Sequence, residues 1–212
     1  METVIKQKIV IVGGTGFIGQ GLVKNLSPAL FEIHSLSRHA FMPSKNDITI
    51  YHAVDLDKPE QWQAIIADAD WVIDAVGILF PNPLKHQTYQ KNSVKPAKQL
   101  IAILKQETQP KFLFVSANTG PFFMKPYLKA KLTVETLAKT QLGSRAFIVY
   151  PGIVFDKDRR SSYFIGILIK KFRRVPYFDH LRSVSRLEFA TEIAQILLGF
   201  PSHLLKRTVT IK

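Results

Sequence analysis

Val10-Ile11-Val12-Gly13-Gly14-Thr15-Gly16-Phe17-Ile18-Gly19 is the stretch from which the rest of the chain can be read. An apolar run over residues 8–12 meets a glycine-dense turn, and helix-compatible Phe17, Ile18, Leu22 and Val23 follow at once. The order is strand, tight turn, helix start. Glycines at 13, 14, 16 and 19 permit a sharp reversal, admit a phosphate to the helix N-terminus without Cβ obstruction, and let helix and strand pack closely. The amide N–H groups and the positive end of the helix then face a pyrophosphate. Gly13, Gly14, Thr15, Gly16, Phe17, Ile18 and Gly19 are therefore the first candidate contacts of a dinucleotide. The plainer alternative is a structural strand-to-helix turn without a ligand.

Moving outward, a helix over residues 20–26 stops near Pro28 and a strand follows over residues 31–37, completing a β-α-β unit. In a dinucleotide-binding fold the end of this second strand meets the adenosine ribose, where an acid selects NAD and an arginine accommodates the extra phosphate of NADP. Here the strand ends Ser37-Arg38-His39, and its only carboxylate, Glu32, lies near the other end. NADP(H) is thus favoured over NAD(H), with Arg38 on the 2′-phosphate or stacked on adenine; the alternative is a solvated loop arginine. A third strand over residues 48–54 leads to Asp55-Leu56-Asp57 and a helix over residues 60–67. Asp55 and Leu56 hold a strand-end position that can line the adenine edge, while Asp57 and Glu60 have capping-box spacing.

A fourth, largely apolar strand over residues 71–76 carries Ala75 near its end and stops at Gly77, where a cofactor can approach closely. A rigid loop over residues 78–83 precedes a long helix over residues 87–106, with Asn92 near its start and a core-facing stripe of Val94, Ala97, Leu100, Ile101 and Leu104. The apolar run 112–115 reads as a buried parallel strand ending in Ser116-Ala117-Asn118. After a loop containing Gly120 and Pro121, Pro126 opens a helix that carries Tyr127, Lys131 and Glu135. A sixth strand over residues 146–150 is closed by Pro151-Gly152. This alternation predicts an α/β fold with a doubly wound parallel sheet of the Rossmann kind, not a barrel or a sandwich. Length favours one NAD(P)-binding domain over residues 1–212, with a core at 1–152 and a small C-terminal substrate or lid region at 153–212.

Tyr127 and Lys131 stand four residues apart, so both project from one face of one helix. An ammonium beside a phenol favours the phenolate, which would make Tyr127 a general acid or base near working pH. The pair follows the fifth strand, and ligands in such sheets bind outside the carboxyl ends of the strands.

These segments together resemble a short-chain dehydrogenase/reductase of the atypical or extended type, in the epimerase/dehydratase-like group that also holds the 39-kDa subunit of complex I. The resemblance rests on Gly13-Gly14-Thr15-Gly16-Phe17-Ile18-Gly19, on Tyr127 with Lys131 and Glu135, on Val115-Ser116-Ala117, and on Pro151-Gly152. It implies that Tyr127 exchanges a proton with the substrate oxygen while a nicotinamide exchanges hydride. It further implies that Lys131 holds the nicotinamide ribose, that Ser116 bonds the substrate oxygen, that Asn92 completes the catalytic set, and that the backbone after Pro151 meets the nicotinamide amide. Residues 153–186 are short beside the substrate part of sugar-nucleotide enzymes, which argues against a bulky nucleotide-sugar substrate; the expected substrate is a small or lipidic carbonyl or alcohol. The other reading is a non-catalytic NADP(H)-binding assembly or redox-sensing protein.

The chain has no cysteine, so disulfides and thiolate metal sites are excluded, and its six histidines are scattered; no metal is expected. The first strand begins too early to leave room for a signal peptide, and no apolar run approaches the roughly 20 residues of a membrane span. A cytoplasmic protein is the expectation. A net charge of +13 favours anionic partners, but no zinc finger, RNP motif or basic zipper points to nucleic acid. Residues 159–174 combine Arg159, Arg160, Lys170, Lys171, Arg173 and Arg174 with Phe164, Ile165, Leu168 and Phe172 at helical spacing. Such a segment lies on an anionic membrane as an interfacial helix, or packs as a lid with solvated ends. A short extended piece around residues 184–186, a helix over residues 187–198 and an edge strand over residues 208–211 complete the expected elements.

Overall fold

Ile9 and Ile11 leave one face of the first strand, Val10 and Val12 leave the other, and all four are fully buried. A strand with both faces dry must lie inside a sheet covered on both sides. The computed structural model describes residues 5–120, 122–156 and 183–207 and has this arrangement. Six strands form one sheet: β1 (Gln7–Val12), β2 (Phe31–Ser37), β3 (Ile50–Ala53), β4 (Trp71–Asp74), β5 (Lys111–Val115) and β6 (Ala146–Val149). Their order is β3-β2-β1-β4-β5-β6, and every pair is parallel. This is the doubly wound sheet that the alternation predicts. A separate two-stranded pairing joins β7 (Ile153–Phe155) to β8 (Ser183–Ser185).

The helices divide between the faces. On one side α1 (Phe17–Asn25) and α5 (Arg186–Leu197) cover Ile9, Ile11, Ile33, Ile73 and Leu113 with Leu22, Leu26, Phe189 and Ile193. On the other, α2 (Gln63–Ala67), α3 (Lys95–Leu104) and α4 (Lys125–Leu142) cover Val10, Val12, Leu36, Val72 and Phe112 with Ile66, Leu100, Ile101 and Val134. The helix stripe at 94, 97, 100, 101 and 104 is buried as its spacing predicts.

Three expected elements differ in detail. The helix over residues 87–106 is broken into a π-turn, Gln90–Val94, followed by α3. Lys95 donates its N–H to the Gln90 carbonyl, one residue further back than in an α-helix. Pro96 has no N–H to give the Asn92 carbonyl, so the wider turn is absorbed immediately before it. The capping box at Asp57 and Glu60 does not form, because Asp57 takes the Lys95 ammonium at 2.6 Å and the Gln99 amide at 3.0 Å. One does form where it was not expected, with Ser185 accepting from the Glu188 N–H at 3.1 Å and Glu188 accepting from the Ser185 N–H at 2.8 Å. The third strand is four residues long rather than seven, and residues 38–49 reach it without any helix. The cationic segment 159–174 and the edge strand 208–211 lie outside the described residues.

Candidate functional site

The strand order reverses between β1 and β4, and the chain leaves the sheet there through two neighbouring turns. Such a reversal opens a crevice at the carboxyl ends of the strands. The glycine turn enters it from β1. Gly13 adopts φ +84°, a left-handed conformation, and a Cβ on it would stand 3.2 Å from the Ala75 carbonyl at the end of β4. A Cβ on Gly19 would stand 2.3 Å from the Gly13 carbonyl, a backbone atom that cannot step aside. The helix therefore starts directly on the turn. Gly16 caps α1 without a side-chain acceptor and the first turn carries no acid, so nothing there competes with an incoming anion. These features fit a pyrophosphate.

The Gly13 N–H donates to the Leu36 carbonyl at 2.8 Å and the Val54 N–H to the Ser37 carbonyl at 2.8 Å, which draws the ends of β2 and β3 beside the turn. Arg38 stands exposed at the end of β2. Asp55 is exposed too, its carboxylate accepting from the Asp57 N–H at 3.0 Å, while Leu56 packs against the core. A cavity of about 500 Å³ lined by Val23, Phe31, Ile33, Ile48 and Ile50 lies elsewhere, under the outer edge of the sheet, and none of the candidate residues is among its walls.

The candidate chemical groups stand on α4. Tyr127 and Lys131 share its face, and Lys131 is buried at 7% exposure. Its ammonium donates to the Val115 carbonyl at 2.7 Å and lies 4.6 Å from the centre of the Phe114 ring. A Cβ on Gly77 would stand 3.7 Å from the same nitrogen, so the ammonium occupies the gap between the ends of β4 and β5. From the Tyr127 ring centre it is 5.8 Å away. The spacing argument expects this ammonium to draw the phenol toward ionisation. Instead burial, helped by Tyr89, pushes the Tyr127 pKa up to about 12. The reason is geometric: the lysine proton goes to the backbone, and the phenol sits against the Tyr89 ring at 5.9 Å. Tyr127 is thereby a protonated group at neutral pH.

Ser116 is buried, and its hydroxyl donates to Glu135 Oε1 at 2.5 Å. Glu135 also receives the Tyr150 hydroxyl at 2.8 Å and the Arg207 guanidinium at 2.8 Å on both oxygens. The serine proton is thus directed into this network, one helical turn beyond Lys131. Asn92 stands in the π-turn, its Oδ1 accepting from the Thr88 N–H at 3.0 Å. Pro151 is buried directly after Tyr150, whose N–H donates to the Leu204 carbonyl at 2.8 Å.

One group the sequence reading passed over is Asp74. It ends β4 fully buried, with Oδ1 accepting from the Val76 N–H at 2.9 Å and Oδ2 without a partner. Burial raises its pKa from 3.8 to about 6 even against the attraction of Lys131. Burial likewise lowers Lys131 from 10.5 to about 8, with Asp74 and Glu135 opposing. The available signal was a carboxylate closing an otherwise apolar strand, a placement that burial makes costly. The sign of its pH dependence follows. The folded state holds an Asp74 proton that the unfolded state releases between pH 3.8 and about 6, so this contribution to stability is lost as pH rises through that window. Denaturant unfolding followed across that range should show the loss in the wild type and a flatter profile in Asp74→Asn.

Residues 9–174 match the sequence profile of the NAD dependent epimerase/dehydratase family. Among curated proteins, MIOREX complex component 2 of Saccharomyces cerevisiae is 25% identical over 207 residues, covering 73% of this chain and 75% of its own. Among solved structures, the UDP-glucuronic acid 4-epimerase of Bacillus cereus in complex with NAD superposes with a TM-score of 0.69 at 17% identity, over 97% of this chain and 77% of that one. A short chain dehydrogenase family protein of Francisella tularensis gives 0.62 at 17% identity, over 91% of each chain.

Proposed function

Because the chain belongs to the NAD-dependent epimerase/dehydratase family, whose members are NAD(P)-dependent oxidoreductases and epimerases, we propose that it transfers hydride to or from a small or lipidic carbonyl or alcohol, with Tyr127 as the acid. A nicotinamide dinucleotide, when bound, supplies or accepts the hydride. The residues Gly13, Gly14, Thr15, Gly16, Phe17, Ile18 and Gly19 hold its pyrophosphate, with Ala75, Gly77 and Pro151 along its nicotinamide half and Leu56 and Asp55 at its adenine edge. Tyr127 donates its phenolic proton to the substrate oxygen in the reducing direction. Lys131 holds the ribose and keeps positive charge beside the reacting oxygen. With its proton held by Glu135, Ser116 is left out of the proton transfer, and Asn92 fixes the start of the helix whose Tyr89 stands against Tyr127.

The observation that supports this reading best is the meeting of the Tyr127 and Lys131 face of α4 with the ends of β4 and β5, beside the glycine turn. Turnover of NADPH and NADH should be followed with a panel of soluble and lipidic carbonyl compounds. Oxidation of the nicotinamide with any of them supports the proposal. Tight cofactor binding with no oxidation across the panel would favour the second reading, a cofactor-binding assembly component, which the name of the yeast relative recommends.

For the cofactor we propose NADP(H) over NAD(H). The support is Arg38 exposed at the end of β2 in place of an acid. Arg38→Ala should weaken NADPH binding by roughly tenfold to a hundredfold, the worth of a charge-assisted phosphate contact, and leave NADH binding nearly unchanged. Titration calorimetry with both cofactors checks this, and equal losses would remove Arg38 from phosphate recognition.

A further inference from the structure

Among the described residues, no helix is long and apolar enough to cross a membrane. Yet the mouth of the site is not a polar surface. The loops that follow β4 and β5 lie side by side, because those strands are neighbours. They carry Leu79 at 44% exposure, Phe80 at 54%, Leu84 at 94%, Phe122 at 80% and Phe123 at 58%. Single exposed apolar side chains are ordinary; five on two adjoining loops form a patch of the kind that marks an interaction surface. The first loop is tied to the helix that follows the second. The Tyr89 hydroxyl donates to the Leu79 carbonyl at 2.9 Å, and the Tyr89 ring meets Tyr127, which opens the helix after the second loop. Phe122 and Phe123 pack edge to face with ring centres 5.6 Å apart.

Along the two loops that carry this patch the charge has one sign. Lys85, Lys125 and Lys129 stand exposed on the two loops and the first turns of α4. From residue 75 to residue 134 the sole acid is Glu107, which precedes β5 and therefore lies at the opposite edge of the sheet. Aromatic and aliphatic tips with exposed lysines beside them in the chain, and no carboxylate on either loop, complement a bilayer of anionic lipid. Lysine stems reach along the apolar boundary while their ammonium groups meet headgroups.

We propose that the loops bearing Leu79, Phe80, Leu84, Phe122 and Phe123 are the surface on which this protein docks to an anionic membrane, with Lys85, Lys125 and Lys129 on the headgroups. The mouth of the site then faces the bilayer. A lipid-borne carbonyl reaches Tyr127 without crossing water; this last step rests on the oxidoreductase reading, whereas docking itself does not.

The test separates the two. Cosedimentation of the full chain, without cofactor or substrate, with phosphatidylglycerol vesicles and with pure phosphatidylcholine vesicles measures docking alone. Binding to the first, weak binding to the second and loss on raising salt are expected. Lys85→Gln with Lys125→Gln and Lys129→Gln should weaken binding by roughly a hundredfold, at about fivefold per lysine at the surface. Lys24→Gln with Lys105→Gln and Lys139→Gln, removing equal charge elsewhere, should change it far less. Leu84→Ser with Phe122→Ser should act as the lysine set does, and both sets should keep the wild-type turnover of a soluble carbonyl. The proposal is overturned if the wild type ignores anionic vesicles at low salt, or if both lysine sets weaken binding equally. It is also overturned if loss of binding requires neutralising Arg159, Arg160, Lys170 and Lys171 instead. A wild-type dimer that Leu84→Ser with Phe122→Ser converts to a monomer, with vesicle binding unchanged, would assign the patch to a second copy of the chain and overturn it likewise.

Discussion

Tyr127→Phe is expected to lower the turnover of a carbonyl substrate by about 10²–10⁴-fold, the usual worth of a positioned general acid, while cofactor affinity stays at the wild-type value. The substitution removes one oxygen and keeps the ring against Tyr89 at 5.9 Å, so the fold should not register it. The direction of the effect follows from the protonation state. With its pKa pushed up to about 12 by burial, the phenol carries its proton throughout the neutral range and is ready to give it to a developing alkoxide. Alcohol oxidation needs the opposite state and should run faster as pH rises. Lys131 sets a limit on that gain, because its ammonium is lost through about pH 8. Steady-state rates in both directions across pH, with wild type and variant side by side, check all of this. Equal rates in the two proteins would remove Tyr127 from the chemistry.

Glu135→Ala is expected to cost about 3 kcal/mol of stability, the lower end of the range for breaking a buried ion pair. Glu135 is 3% exposed and binds three groups from separate parts of the chain: Ser116 after β5, Tyr150 after β6 and Arg207 beyond α5. Truncation leaves the guanidinium and two hydroxyls without their acceptor. The Arg207 side chain is 21% exposed and can recover some hydration, which holds the loss to the lower end. A domain of ordinary stability has about 5–15 kcal/mol in total, so thermal unfolding should shift by many degrees. Glu135→Gln keeps an acceptor for one hydroxyl and should recover part of the difference. A melting temperature unchanged in the alanine variant would deny the network its structural weight.

Both residues stand on a helix whose place in the fold was legible from the chain. Unbroken apolar runs such as 9–12 and 112–115, short and closed by turn residues, read as strands buried on both faces, and the glycines between Val12 and Phe17 fix how the first of them turns into a helix. The doubly wound parallel sheet follows from that alternation, while the strand order β3-β2-β1-β4-β5-β6 is read from the structure. What escaped the reading depends on contacts between distant residues. Spacing puts Lys131 next to Tyr127 along the helix, but only the fold puts the Val115 carbonyl where it takes the lysine proton. Ser116 was legible as a strand-end hydroxyl, and its commitment to Glu135 was not. Asp74 was passed over inside an apolar strand; that it is fully buried beside a lysine needs the neighbouring strands in place.

The helix-free crossing into β3 has a consequence for motion. β3 is a four-residue edge strand bonded on one side to β2, with Ile50 at 44% exposure and an open cavity beneath its outer edge. None of its residues is buried, whereas the equally short edge strand β6 ends in two buried ones, so β3 should be the first strand whose amides exchange with deuterium, opening as a local unit while β1, β4 and β5 stay closed. The adenine end proposed for the crevice, at Arg38, Asp55 and Leu56, is built on that loosest part. A dinucleotide bound there would slow exchange in residues 38–56 more than anywhere in the central strands, and the two chemical halves of the site would differ in rigidity from the start.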